Sequence, residues 1–172
     1  MSRDRRSLDE LFSATYEELR RLAASVREDD PSATLNPTAL VNEAYIKLAE
    51  SLRLTPESRL HFKRIAARAM RQVLIEAARR RKAQKRGGDY AIVTLDERTA
   101  ATVACAEDLL ALEEALQDLA RMQPRQAMMV EYRFFGGLDL KETAALLEVS
   151  EATLSRDWRA ARAWLAHELR KG

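Results

Sequence analysis

Residues 137–162 read GLDLKETAALLEVSEATLSRDWRAAR, and their spacing decides the architecture of the C-terminal half. Asp139 is placed to cap a short helix whose inner face is Leu140, Thr143, Ala144 and Leu147, because an N-cap oxygen satisfies an orphan amide of the first turn. After Glu148 and Val149, Ser150 caps a longer helix. There Leu154, Trp158, Ala161 and Leu165 follow the spacing of a buried stripe, which turns Glu151, Ala152, Ser155, Arg156 and Arg159 outward. Two such helices joined by a tight turn form a helix-turn-helix, whose second helix enters a DNA major groove. Pairs of this kind also occur in bundles that meet no nucleic acid. The turn position that favours glycine, because its φ is positive, holds Glu148, at a cost of about 1 kcal/mol.

Composition points the same way. With 47% apolar residues, five Gly and four Pro in 172 residues, the chain suits an all-α build of one ordinary or two small domains. Cys105 is the single cysteine, and His61 and His167 lie far apart, so no metal-ligand spacing is present and none is expected. The N-terminal MSRDRRSLDELF lacks the apolar run of a signal peptide or membrane span, which predicts a cytoplasmic protein. Neither a phosphate loop nor a nucleophile elbow occurs, so no cofactor and no enzyme activity are expected.

Charge is unevenly spread. Residues 1–58 carry 8 basic and 11 acidic side chains, 59–86 carry 11 and 1, 87–122 carry 2 and 8, and 123–172 carry 8 and 7. The basic segment, RLHFKRIAARAMRQVLIEAARRRKAQKRGG, has a helical period. Phe62, Ile65, Ala66, Ala69, Met70 and Val73 make its apolar side, and Lys63, Arg64, Arg68, Arg71 and Gln72 its polar side. A net +10 over 28 residues repels itself unless acidic neighbours or a polyanion balance it, and nucleic acid is the expected partner.

Breakers organise the remainder. Ser7 and Glu10 form a capping box for a first helix with Leu8, Leu11, Phe12, Leu19, Leu22, Ala23 and Val26 inward. Asn36 caps a second, with Pro37 in its first turn, a Leu35–Leu40 staple, and Leu40, Val41, Ala44, Tyr45 and Leu48 inward. Residues 87–105, opened by Gly87 and Gly88, lack a helical stripe and read as a flexible linker that spans about 60 Å when extended, a short strand being the alternative. Two more helices, separated at Pro124, complete a four-helix C-terminal domain. The expected fold is thus two small helical domains on a tether.

This order of parts resembles a bacterial RNA polymerase sigma factor of the sigma-70 superfamily, and the two-domain form is similar to the extracytoplasmic-function (ECF) type. The resemblance covers nearly the whole chain. It rests on LVNEAYIKL, ARAMRQVLIEAARRRKAQKRGG and LSRDWRAARAWL, and on Leu119, Pro124, Arg125, Gly136 and Gly137. It implies a region 2-like domain at 1–86, a linker at 87–105 and a region 4-like domain at 106–172.

The implied partners are core RNA polymerase (clamp and flap), duplex promoter DNA and the melted −10 strand, with an anti-sigma factor as a candidate regulator and no membrane. Leu40, Val41, Asn42, Glu43, Ile46 and Lys47 would face the clamp. Phe62, Lys63, Arg64, Arg68, Arg71 and Gln72 would meet the −10 element, with the loop 52–59 as a pocket for an unstacked base and His61 or Phe62 as a stacking surface. Arg156 and Arg159, then Ser155, Glu151, Ala152 and Thr153, would read the −35 element, unless Asp157 ties Arg156 into a surface pair.

One departure stands out. Just before LVNEA, where such factors present several acidic residues for the basic clamp, this chain reads NPTA, Asn36 to Ala39. Thr38, with Thr34 as second choice, is the hydroxyl on which a serine/threonine kinase would restore the missing charge at a helix N-terminus. Two other classes fit parts of the pattern: a dimeric helix-turn-helix regulator that acts alone, and a nucleic-acid enzyme. The second lacks clustered carboxylates or histidines in the basic helix.

Overall fold

The computed structural model describes Asp9, Glu10, Phe12, Ser13, Tyr16, Glu17 and Arg20, then residues 37–50, 58–84 and 106–171. Six helices follow in order: α1 (Pro37–Glu50), α2 (Arg59–Gln84), α3 (Ala106–Met122), α4 (Pro124–Phe134), α5 (Leu140–Leu147) and α6 (Glu151–Lys171). No strand occurs among the described residues, so the all-α expectation holds. The seven described residues before α1 are helical, as the expected first helix requires. Phe12 packs on Tyr45 with ring centroids 4.5 Å apart, and the Tyr45 hydroxyl donates to the Asp9 carboxylate. The expected cap at Asn36, the loop 52–57 and the linker 87–105 lie outside the described residues.

Helix α2 organises the molecule. Its 26 residues make a rod about 39 Å long, with α1 along one side and α3, α4 and α5 along another. Leu40, Val41, Ala44 and Leu48 of α1 are buried with Phe62, Ala66, Met70 and Val73 of α2. The same apolar cluster continues into Leu112, Leu116 and Leu119 of α3, Met129, Val130 and Phe134 of α4, and the whole Leu154, Trp158, Ala161, Leu165 stripe of α6. The two halves divided at 87–105 therefore share a core, an arrangement that the sequence leaves open. The reason lies in α2, which buries Ala67, Leu74, Ile75 and Ala78 besides its expected apolar side.

The C-terminal turns obey local chemistry. Gln123 leaves the helical region at φ −139°, ψ 74°, and Pro124 opens α4, where its missing N–H removes no bond. Asp139 accepts from the Glu142 amide while the Glu142 side chain accepts from the Asp139 amide, a complete capping box. Ser150 Oγ accepts from the Thr153 amide at 3.1 Å and caps α6. Between these helices Glu148 is left-handed at φ 55°, ψ 42°, and its amide and that of Val149 donate to the last α5 carbonyls.

A β-carbon at this φ costs about 1–2 kcal/mol, partly offset for glycine by about 0.5–1 kcal/mol of backbone entropy. Glu148→Gly is expected to stabilise the protein by up to about 1 kcal/mol. A urea titration reads this directly, and a loss of stability would show that the Glu148 side chain matters more than its backbone strain.

Candidate nucleic-acid interface

The helix-turn-helix presents its expected outer face. Glu151, Ala152, Arg156 and Arg159 are exposed on the first turns of α6, and Thr153 and Ser155 are half-buried. The pitch of this face is fixed from beneath by Leu154, Trp158, Ala161 and Leu165, and by Arg133, whose guanidinium lies 4.1 Å from the centre of the Trp158 ring. Burial pushes the Arg133 guanidinium below its ordinary value. Arg156 donates to Thr153 Oγ1 at 3.3 Å and Arg159 Nε to the Ser155 carbonyl at 3.4 Å, so both heads stay close to the helix surface. Asp157 does not tie down Arg156. It accepts instead from Arg125, at 2.8 Å from both Nε and Nη2, which links α6 to the start of α4.

The basic helix divides its candidates. Arg64, Arg68 and Gln72 are exposed along one stripe. Phe62 is 0% exposed and belongs to the core, so it is no stacking surface here. Lys63, 7% exposed, donates from Nζ to Glu142 Oε1 at 2.9 Å. Arg71 donates from Nε to Glu113 Oε2 at 2.7 Å and from Nη1 to Glu131 Oε2 at 2.6 Å. Burial alone lowers the pKa of the Arg71 guanidinium, but the hydrogen bonds and charges of Glu113 and Glu131 outweigh it and raise the value. Burial likewise raises the Glu113 carboxyl, yet bonds from Arg71 and Gln117 and the charges of Arg71 and Arg79 hold it below the usual carboxylate range.

Beside this clamp lies a cleft of about 630 Å³ lined by Arg68, Arg71, Gln72, Ile75, Glu76, Arg79, Glu113 and Glu131. Glu113, Glu131 and Glu142 were not legible as partners of α2 from spacing within one helix. The available signal was the i, i+4, i+8 row of Lys63, Ala67 and Arg71, in which a small residue sits between two cations.

On α1 the six clamp-facing candidates also separate. Leu40 and Val41, at 1% and 0% exposure, are core residues, because they point into the α1–α2 contact. Asn42 is exposed, and Ile46 is an apolar side chain left 54% exposed. Glu43 and Lys47 flank it and pair with α2, Lys47 with Glu76 at 3.2 Å and Glu43 with Arg80 at 3.7 Å. Thr38 occupies the second position of α1, and Thr34 lies outside the described residues.

Among the described residues no three His, Cys, Asp or Glu side chains are grouped to hold a metal, and no helix is long and apolar enough to cross a membrane. Neither a curated protein nor a solved structure matches the chain. A family model described as ECF sigma factor does match, over residues 2–171. That match takes in both the basic helix and the helix-turn-helix, and the chain belongs to the ECF sigma factor family, whose members direct promoter-specific transcription.

Proposed function

We propose that this sigma factor meets its promoter through two helices and its polymerase through a third. α6 reads the −35 element with Arg156 and Arg159, supported by Ser155, Glu151, Ala152 and Thr153. α2 engages the −10 element through Arg64, Arg68 and Gln72, joined by Lys63 and Arg71 once their carboxylate partners leave. α1 offers the polymerase clamp an exposed Ile46 beside Asn42, with Glu43 and Lys47 at its margins. The observation that carries this reading is the outward placement of two arginines on a helix whose opposite face is fully built into the core.

An arginine that grips guanine with two hydrogen bonds discriminates by about 1–3 kcal/mol, whereas a phosphate contact weakens all sequences alike. Arg156→Ala is expected to lower affinity for the protein's own upstream DNA by that amount and to relax the preference at one base pair. A mobility-shift series over single-base variants checks it; unchanged binding removes Arg156 from the reading surface.

The same proposal includes a switch at the start of α1. This helix opens with Pro37 and Thr38 and has no acidic residue in its first turn, so its N-terminal dipole has no anion to favour. A phosphate on Thr38 adds about −1.5 to −2 charges there, restoring what a basic clamp needs, with a serine/threonine kinase as the supplier and Thr34 as second site. Thr38→Ala is expected to lose co-purification with core polymerase from cells, and Thr38→Glu to recover part of it. A Thr38→Ala protein that transcribes as well as wild type ends the switch.

A further inference from the structure

Helix α6 is held from one neighbouring helix at two successive residues. Arg125, in the first turn of α4, donates from Nε to Asp157 Oδ2 at 2.8 Å, and its Nη2 lies 2.8 Å from the same oxygen. Further along α4, the Arg133 guanidinium lies 4.1 Å from the centre of the Trp158 ring. Successive residues of a helix point about 100° apart, so the two contacts restrain different directions. Trp158 belongs to the buried stripe and sets how deep α6 lies. Asp157 sits on the flank between that stripe and Arg156, its side chain 14% exposed against 50% for Arg125. A hold on that flank opposes rotation of α6 about its own axis. Apolar packing has no direction of its own, whereas two N–H groups of one guanidinium aimed at one carboxylate do.

A carboxylate beside a DNA-facing arginine would by itself weaken binding, by repelling phosphates and by competing for Arg156. Its pairing with Arg125 removes both effects and uses the charge to orient the helix. We propose that Arg125 and Asp157 are a positioning pair for promoter reading: they fix the roll of α6 at which Arg156 meets its base pair, without touching a base themselves. This rests on the reading of α6 as the −35 helix, and it places one determinant of that helix's specificity on α4.

The test uses the full chain and two DNA samples, a duplex selected from a random pool by the wild-type protein and the unselected pool. The ratio of the two affinities is expected to fall about tenfold, the scale of one arginine–guanine contact, in Arg125→Ala and in Asp157→Ala alike. The first variant removes a positive charge and the second a negative one, so bulk electrostatics moves them in opposite directions. A simple phosphate contact by Arg125 would weaken all sequences equally and leave the ratio unchanged. The double variant is expected to lose no more than either single one, as for two members of one pair. Selection repeated with Arg125→Ala is expected to blur the same base pair that Arg156→Ala blurs.

A urea titration identifies the folded variants, and either single variant decides the matter should the other not fold. An unchanged ratio in a folded single variant overturns the positioning role, as does a double variant whose loss is the product of the two singles. Arg156→Ala losing selectivity while the Arg125 and Asp157 variants keep theirs overturns the pair and leaves the proposed reading of α6 standing. A wild-type protein that selects no sequence defeats that reading, and the positioning role with it.

Discussion

The guanidinium of Arg71 joins α2 to α3 and α4, and the relation between the two halves of the chain depends on it. A cation taken this far out of water must be paired, and here both partners come from the other half. Phe135 adds a ring face 6.0 Å from the same group. The pairing needs the helices close, and they come close because Ala67 and Gly136 present almost no side chain to each other. Closeness in turn leaves the ion pair only partly exposed, at the edge of the cleft, which strengthens it relative to a pair in open water. Charge and small-residue packing are therefore one arrangement. A larger residue at either Ala67 or Gly136 would loosen the clamp without touching a charge.

This explains how a segment with eleven basic side chains and one acidic folds into the centre of the molecule. The following stretch, 87–122, carries eight acids and two bases, and Glu113 comes from it. Glu131 and Glu142 complete the opposing set from α4 and α5. On the other flank Glu43 of α1 reaches Arg80. The charge excess is thus partly met by acidic groups within the chain, while Arg64, Arg68 and Gln72 stay at the surface, where the proposed function places the −10 strand.

Where one helix and its caps decide the outcome, the sequence was sufficient. The α6 stripe, the Asp139 and Ser150 caps and the left-handed Glu148 all follow from spacing within a dozen residues, and each is present. The −10 candidates were less legible for a physical reason. A helical wheel assumes one buried side, but α2 also buries Ala67, Leu74, Ile75 and Ala78, and Ala67 packs on Tyr132 and Leu138 from the other half. Lys63 and Arg71 fall beside Ala67 on that second side, whereas Phe62, Leu40 and Val41 are buried where the apolar stripes of their own helices put them. Nothing local to α2 marks which carboxylate, some 40 to 80 residues later, will meet which cation.

The ion pairs of Arg71 orient the two halves more than they hold them together, since a shared apolar core joins them as well. Parting the halves returns both members of each ion pair to water, so their mutual attraction is largely offset by regained solvation. Burial raises the Glu113 carboxyl, but the bonds from Arg71 and Gln117 and the charges of Arg71 and Arg79 hold it below the usual carboxylate range, so it keeps its charge beside Arg71. The outer face of α1, with Asn42 and Ile46, is exposed. In the proposed function, that exposed face of α1 docks on the polymerase, α6 enters the upstream groove, and α2 offers Arg64, Arg68 and Gln72, which already lie at the surface, to the separated strand.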